Sequence, residues 1–139
     1  MIWGIAIFGV ITAMILSRVD NWSRDFSTNV ARTGESASLQ PMLMAMSLDE
    51  ATTKLRKAVD AMSNWQWTGE TKADASVTVD LVRSTTVFRF KDDVKVTLSV
   101  DDSTSGVIVN AISRSQVGKG DLGQNPRNIR ELFDRLGKG

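Results

Sequence analysis

From Val77 to Ala111 the chain alternates apolar and polar side chains so regularly that it demands a β-sheet with one buried face. Val77, Val79 and Leu81 alternate with Thr78, Asp80 and Val82. Val87 to Phe90 follow, with Val94, Val96, Leu98 and Val100 at period two, and Val107, Val109 and Ala111 come last. An earlier strand reads from Trp65 to Thr68. The turn Asp101 to Gly106 is too short for a crossover, so the strands it joins must be antiparallel.

Two amphipathic helices flank this pattern. From Ser47 to Met62, Ser47 and Glu50 have capping-box spacing, and Leu48, Ala51, Leu55, Ala58, Val59 and Met62 recur every three or four residues. Near the end of the chain, Asn125 has the chemistry of an N-cap, Pro126 suits a first turn and Gly137 a helix stop. Ile129, Leu132, Phe133 and Leu136 give that helix its apolar face. The expected fold is α+β: a two-layer domain of antiparallel sheet with two helices on one face, over residues 41–139. Trp65 with Trp67, and Phe88 with Phe90, are expected to serve core or helix–sheet packing.

The N-terminus adds a membrane signal. Met1 to Ser17 carries no charged side chain and as a helix would span about 25 Å, close to the ~30 Å hydrocarbon core. Trp3 and Trp22 would stand about 28 Å apart, where indoles favour the headgroup layers, and Arg18 can snorkel outward. A cleaved signal peptide fits less well, because residues 2–8 hold no Lys or Arg and no Ala-x-Ala site follows the apolar run. A buried core helix usually shows a polar face, and here only Thr12 supplies one. The expectation is a single-pass membrane anchor helix over residues 1–22, in contact with lipid, and a polar tether over 23–40 rich in Ser and Thr. Arg18, Arg24 and Arg32, diluted by Asp20 and Asp25, favour a cytoplasmic C-terminal side.

Composition removes most familiar chemistry. The 139 residues include no Cys and no His. That excludes disulfides, thiolate nucleophiles, Cys/His zinc sites, imidazole bases and a lipid-modified cysteine. A net charge of +1, from 17 basic and 16 acidic residues, argues against a nucleic-acid partner.

The polar segment Ser113 to Asn125 is longer than a strand-to-helix connection requires. It holds Gly118, Gly120 and Gly123, and with Arg127 and Arg130 it gathers Arg114, Lys119, Arg127 and Arg130 around Asp121. In this region the sequence resembles an uncharacterised family, domain of unknown function 1499. The matching residues are Phe88-x-Phe90-x-Asp92-Asp93-Val94 and Ser113-Arg114-Ser115-x-Val117-Gly118-x-x-Asp121-x-Gly123-x-Asn125-x-Arg127-x-Ile129. The resemblance covers roughly residues 40–136. Gln116 stands where the family usually carries Arg, and the tether lacks the family's usual Pro-Asn or Cys-Val-Ser elements. The resemblance implies an α+β domain, often exported or membrane-attached, with no established reaction; it slightly favours the extracytoplasmic side, against the arginine count, and leaves the side undetermined.

Two readings of this loop stand side by side. In the first it binds an anion: glycines free backbone N–H groups, a helix start presents positive potential, and Arg114, Ser115, Gly118, Lys119, Gly120, Asp121, Gly123, Asn125 and Arg127 surround a phosphate, lipid headgroup or carboxylate. It is not a nucleotide phosphate loop, because the Gly-Lys-Ser/Thr ending is missing. In the second, Asp92, Asp93 and Arg130 form a structural polar cluster, with Asp92 or Asp93 pairing with Arg114 or Arg130. Asp121 and Asn125 then fix the loop and cap the helix. No catalytic set, metal site or cofactor is expected, since neighbouring residues Asp92 and Asp93 on a strand point to opposite faces. The functional expectation is a membrane-anchored binding or accessory module. The alternatives are a membrane-associated enzyme acting on a phosphate or lipid substrate, and a structural subunit of a membrane-protein complex.

Overall fold

The computed structural model describes residues 30–86, 89–117 and 123–138. The anchor expected over residues 1–22 lies outside them. Among the described residues no helix is long and apolar enough to cross a membrane.

The elements run β1 (Val30–Arg32), β2 (Met42–Met44), α1 (Leu48–Asp60), β3 (Trp65–Lys72), β4 (Ser76–Ser84), β5 (Lys91–Asp101), β6 (Gly106–Ser115) and α2 (Gln124–Lys138). Among the described residues they form one antiparallel sheet ordered β1-β6-β5-β4-β3, with β2 also paired to β6. The alternation does the work expected of it. Val77, Val79, Leu81, Val94, Val96, Leu98, Val107, Val109 and Ala111 are all buried, and their strand neighbours face the other way. Both helices cover that buried face: α1 packs on β3 to β6, and α2 on β1, β5 and β6. Leu55, Val59, Ile129, Leu132 and Leu136 fill the layer between.

The capping box of α1 is present, with Ser47 Oγ accepting from the Glu50 N–H and the Glu50 carboxylate accepting from the Ser47 N–H. Trp65 is buried and Trp67 packs at the core margin, where the Arg56 guanidinium lies 4.9 Å from its ring centre. In the Asp101–Gly106 turn, hydrogen bonds from the Thr104 and Ser103 hydroxyls and then the Ser103 N–H hold the Asp101 carboxyl below its ordinary range.

Four expectations need correction. Residues 30–40 are not tether. Val30–Arg32 pairs with Ile112–Arg114, Ala31 is fully buried and Leu39 nearly so. Gly34, at φ 88°, turns the chain there, and its N–H donates to the Leu39 carbonyl. β1 and β2 lie in line along β6, as one edge strand interrupted by residues 33–41. Beside it, a Cβ at Gly106 would come 2.6 Å from the Met44 carbonyl oxygen, so only glycine permits this approach.

Second, Asn125 does not cap α2. It lies inside the first turn with its side chain turned into the sheet, and Gly123, at φ 76°, precedes the helix. Third, Gly137 does not stop α2, which runs to Lys138; no left-handed backbone occurs at this glycine. Fourth, Phe90 is not core. β5 begins only at Lys91, Arg89 takes a left-handed φ of 52°, and Phe90 is 56% exposed. Phe88 lies outside the described residues.

Candidate functional site

Strand parity builds the site. Arg83 on β4, Asp92 on β5 and Ser115 on β6 occupy one cross-strand row, on the parity that faces the helices. Ser113 lies one core-facing position further along β6. The first turns of α2 close over this row.

The result is a buried chain of side-chain hydrogen bonds. Asn128 Nδ2 donates to Asp92 Oδ2 (2.8 Å) and to Ser113 Oγ (3.0 Å). Ser113 Oγ donates to Asn125 Oδ1 (2.6 Å), and Asn125 Nδ2 donates to Ser115 Oγ (2.9 Å). Gln124 Nε2 donates to Asn128 Oδ1 (2.7 Å). Asp92 is 2% exposed, and Ser113, Asn125 and Asn128 are fully enclosed. Each of these groups would cost about 1–3 kcal/mol if buried without a partner, so their mutual satisfaction fixes where α2 docks.

A second cluster joins the same helix to the sheet. Glu131, one turn beyond Asn128, accepts from the buried Trp65 indole N–H (3.0 Å) and from Arg83 Nε (3.1 Å), with Arg83 Nη2 also 3.0 Å from its carboxylate. This arrangement was missed in the sequence. The available signal was parity: Arg83 continues the core-facing series Val77, Val79, Leu81, where a charge needs a partner. Glu131→Ala is expected to lower stability by about 2 kcal/mol, because it strands a buried guanidinium and an indole N–H together. A denaturant titration followed by tryptophan emission measures it.

Beyond Arg83 opens a cleft of about 470 Å³ beside α2. Arg83, Arg127, Arg130, Arg135 and Lys138 line it, against Glu131 and Asp134. It is positively charged on balance.

The residues expected to surround one anion are divided by the sheet. Arg114 is exposed on the face opposite the helices, directly across from Asp93, while Arg127 and Arg130 stand on α2 by the cleft. Of the local patch expected of Arg114, Lys119, Arg127 and Arg130, Arg114 therefore does not share a face with Arg127 and Arg130. Ser115, Gly123 and Asn125 belong to the buried joint, and Gly118, Lys119, Gly120 and Asp121 lie outside the described residues. Asp92 and Asp93 point to opposite faces; Asp93 Oδ1 accepts from Gln116 Nε2 at 2.8 Å. Among the described residues no group of three or more carboxylates converges to hold a metal ion.

A family model described as protein of unknown function, DUF1499, matches residues 16–136. The chain belongs to the DUF1499 family. No curated protein matches it. The DUF1499 match extends past β1 into the segment before it, so the family's extent includes the edge strand as well as the sheet and helices. Of the residues quoted for the resemblance in this DUF1499 chain, Asp92, Ser113, Ser115 and Asn125 join the sheet to α2, and Arg127 faces the cleft.

Proposed function

We propose that the protein is a membrane-tethered binding module that takes up an anionic group, phosphate or carboxylate in character, in the arginine-lined cleft beside α2. The observation that carries this reading is the separation of roles. Asp92, Ser113, Asn125 and Asn128 are engaged with one another beneath α2, whereas Arg127 and Arg130, three residues apart on one helix face, line the cleft with Arg83. Arg83 is held in place by Glu131, so an incoming anion meets a positioned guanidinium that needs little reorganisation. The tether is supported by the uncharged run Met1 to Ser17 and its flanking Trp3 and Trp22. The reading as a module rather than a hydrolase is supported by the carboxylates: Asp92 is enclosed, Asp93 stands on the far side of the sheet, and Glu131 in the cleft is engaged by Arg83 and Trp65.

Titrating the detergent-solubilised full chain with pyrophosphate tests this. Arg127→Gln with Arg130→Gln is expected to weaken binding at least about tenfold, the loss of one or two charge-assisted hydrogen bonds. Arg114→Gln, on the other face, is expected to leave the affinity unchanged. Equal binding by all three chains overturns the cleft.

A further inference from the structure

We infer that the end of the sheet where β1 begins is a docking surface for an anionic lipid bilayer, seated by Phe90 and Val117. The inference rests on the tether reading above and adds the orientation of the domain.

Topology brings the relevant pieces to one end. β1 starts at Val30, opposite Arg114, so the chain arriving from residues 1–29 enters the fold there. The β4–β5 connection and the end of β6 meet at the same place, where the Gln116 N–H donates to the Lys91 carbonyl and Asp92 lies opposite Ser115. Phe90 is 56% exposed and Val117 74%, the most exposed large apolar side chains at this end among the described residues. Arg89, Lys91 and Arg114 surround them, all exposed. Asp93, an exposed carboxylate on β5 beside them, is engaged with Gln116.

The opposite end differs in the charge of its turns rather than in apolar exposure, since Leu43 and Val100 are exposed there. Its two hairpin turns carry Asp74, Asp101 and Asp102, all at the surface, and Lys72 at the margin is drawn to Glu70 at 3.8 Å. Along the sheet the exposed charge therefore runs from basic, around Phe90 and Val117, to acidic at the two hairpin turns. An anionic bilayer attracts the first and repels the second, with each basic side chain near the surface strengthening attachment about fivefold. An aromatic and a branched aliphatic side chain among basic residues is the composition that enters the headgroup layer.

Reach makes the contact available. Residues 23–29 are seven residues and span at most about 25 Å fully extended. A domain held so near the bilayer experiences it at high effective concentration, so a weak surface suffices.

The absence of cysteine permits a direct test, because any introduced thiol is unique. Full chain carrying Val117→Cys, or in a second preparation Phe90→Cys, is labelled with an environment-sensitive fluorophore. It is then reconstituted into phosphatidylcholine vesicles with or without phosphatidylglycerol. Ser103→Cys reports the opposite end. The expected result is blue-shifted emission and protection from an aqueous quencher at positions 117 and 90 with phosphatidylglycerol, and an aqueous signal at 103. Arg89→Glu with Lys91→Glu should reduce that protection. Aqueous signals at 117 and 90 in a chain that resists carbonate extraction overturn the docking surface and leave the tether standing. A chain that carbonate releases overturns the tether. Sedimentation of that released chain with phosphatidylglycerol vesicles then decides the surface alone: co-sedimentation lost with Arg89→Glu and Lys91→Glu supports it, and no co-sedimentation overturns it.

Discussion

Replacing Asn128 with alanine is expected to destabilise the folded chain by about 3–4 kcal/mol, more than an ordinary polar-to-alanine change on a helix. Asn128 is fully enclosed and supplies donors to Asp92 and Ser113 while accepting from Gln124. Its truncation strips a donor from a carboxylate that is 2% exposed, and an under-solvated buried charge costs more than a neutral group. Asn128→Asp should be at least as damaging, since it places a second carboxylate beside Asp92. Asp92→Asn preserves shape and removes the charge, so it should cost less than either. Urea unfolding of the full chain in detergent, followed by circular dichroism and tryptophan emission, gives all three values. A cost under about 1 kcal/mol for Asn128→Ala would mean that apolar packing of Ile129 and Leu132 seats α2 without the polar joint.

The same joint separates what sequence reasoning reads from what it misses. The Ser47–Glu50 capping box and the Val94 to Val100 alternation were legible because each is decided within a few residues. Asn125 was misread because its local preference for an N-cap lost to tertiary partners, Ser113 and Ser115, 12 and 10 residues away in sequence. Gly137 was misread because a glycine stops a helix only where the backbone turns left-handed, and here the helix continues to Lys138. Phe90 failed for a different reason: the strand pattern runs through it on paper, but Arg89 breaks the backbone before β5 begins. The Arg83–Glu131–Trp65 cluster spans 66 residues, and parity alone marks its sheet member. Of the candidate anion site, the motif was visible but its division was not. Nothing in the spacing of Arg114 and Arg127 tells that β6 turns one away from the helices while α2 sits on the other side.

The edge strand gives the second large effect. Ala31→Glu is expected to cost about 4 kcal/mol, because Ala31 is fully buried between β6 and α2 and a carboxylate there has to remain charged without a partner or take up a proton. Its neighbours make the contrast. Arg32 is exposed and ion-paired with Glu35 at the surface, so Arg32→Glu should change stability by no more than about 1 kcal/mol. A large loss at one position flanked by a small one at the next is the signature of a strand with one buried face, and a tether would tolerate both changes alike. Unfolding curves for the two variants decide between these patterns. If the alternation holds, the chain from residues 1–29 passes directly into the sheet at Val30. The tether then ends at a strand that α2 itself covers, so the joint beneath α2 and the attachment of the domain share one edge of the fold.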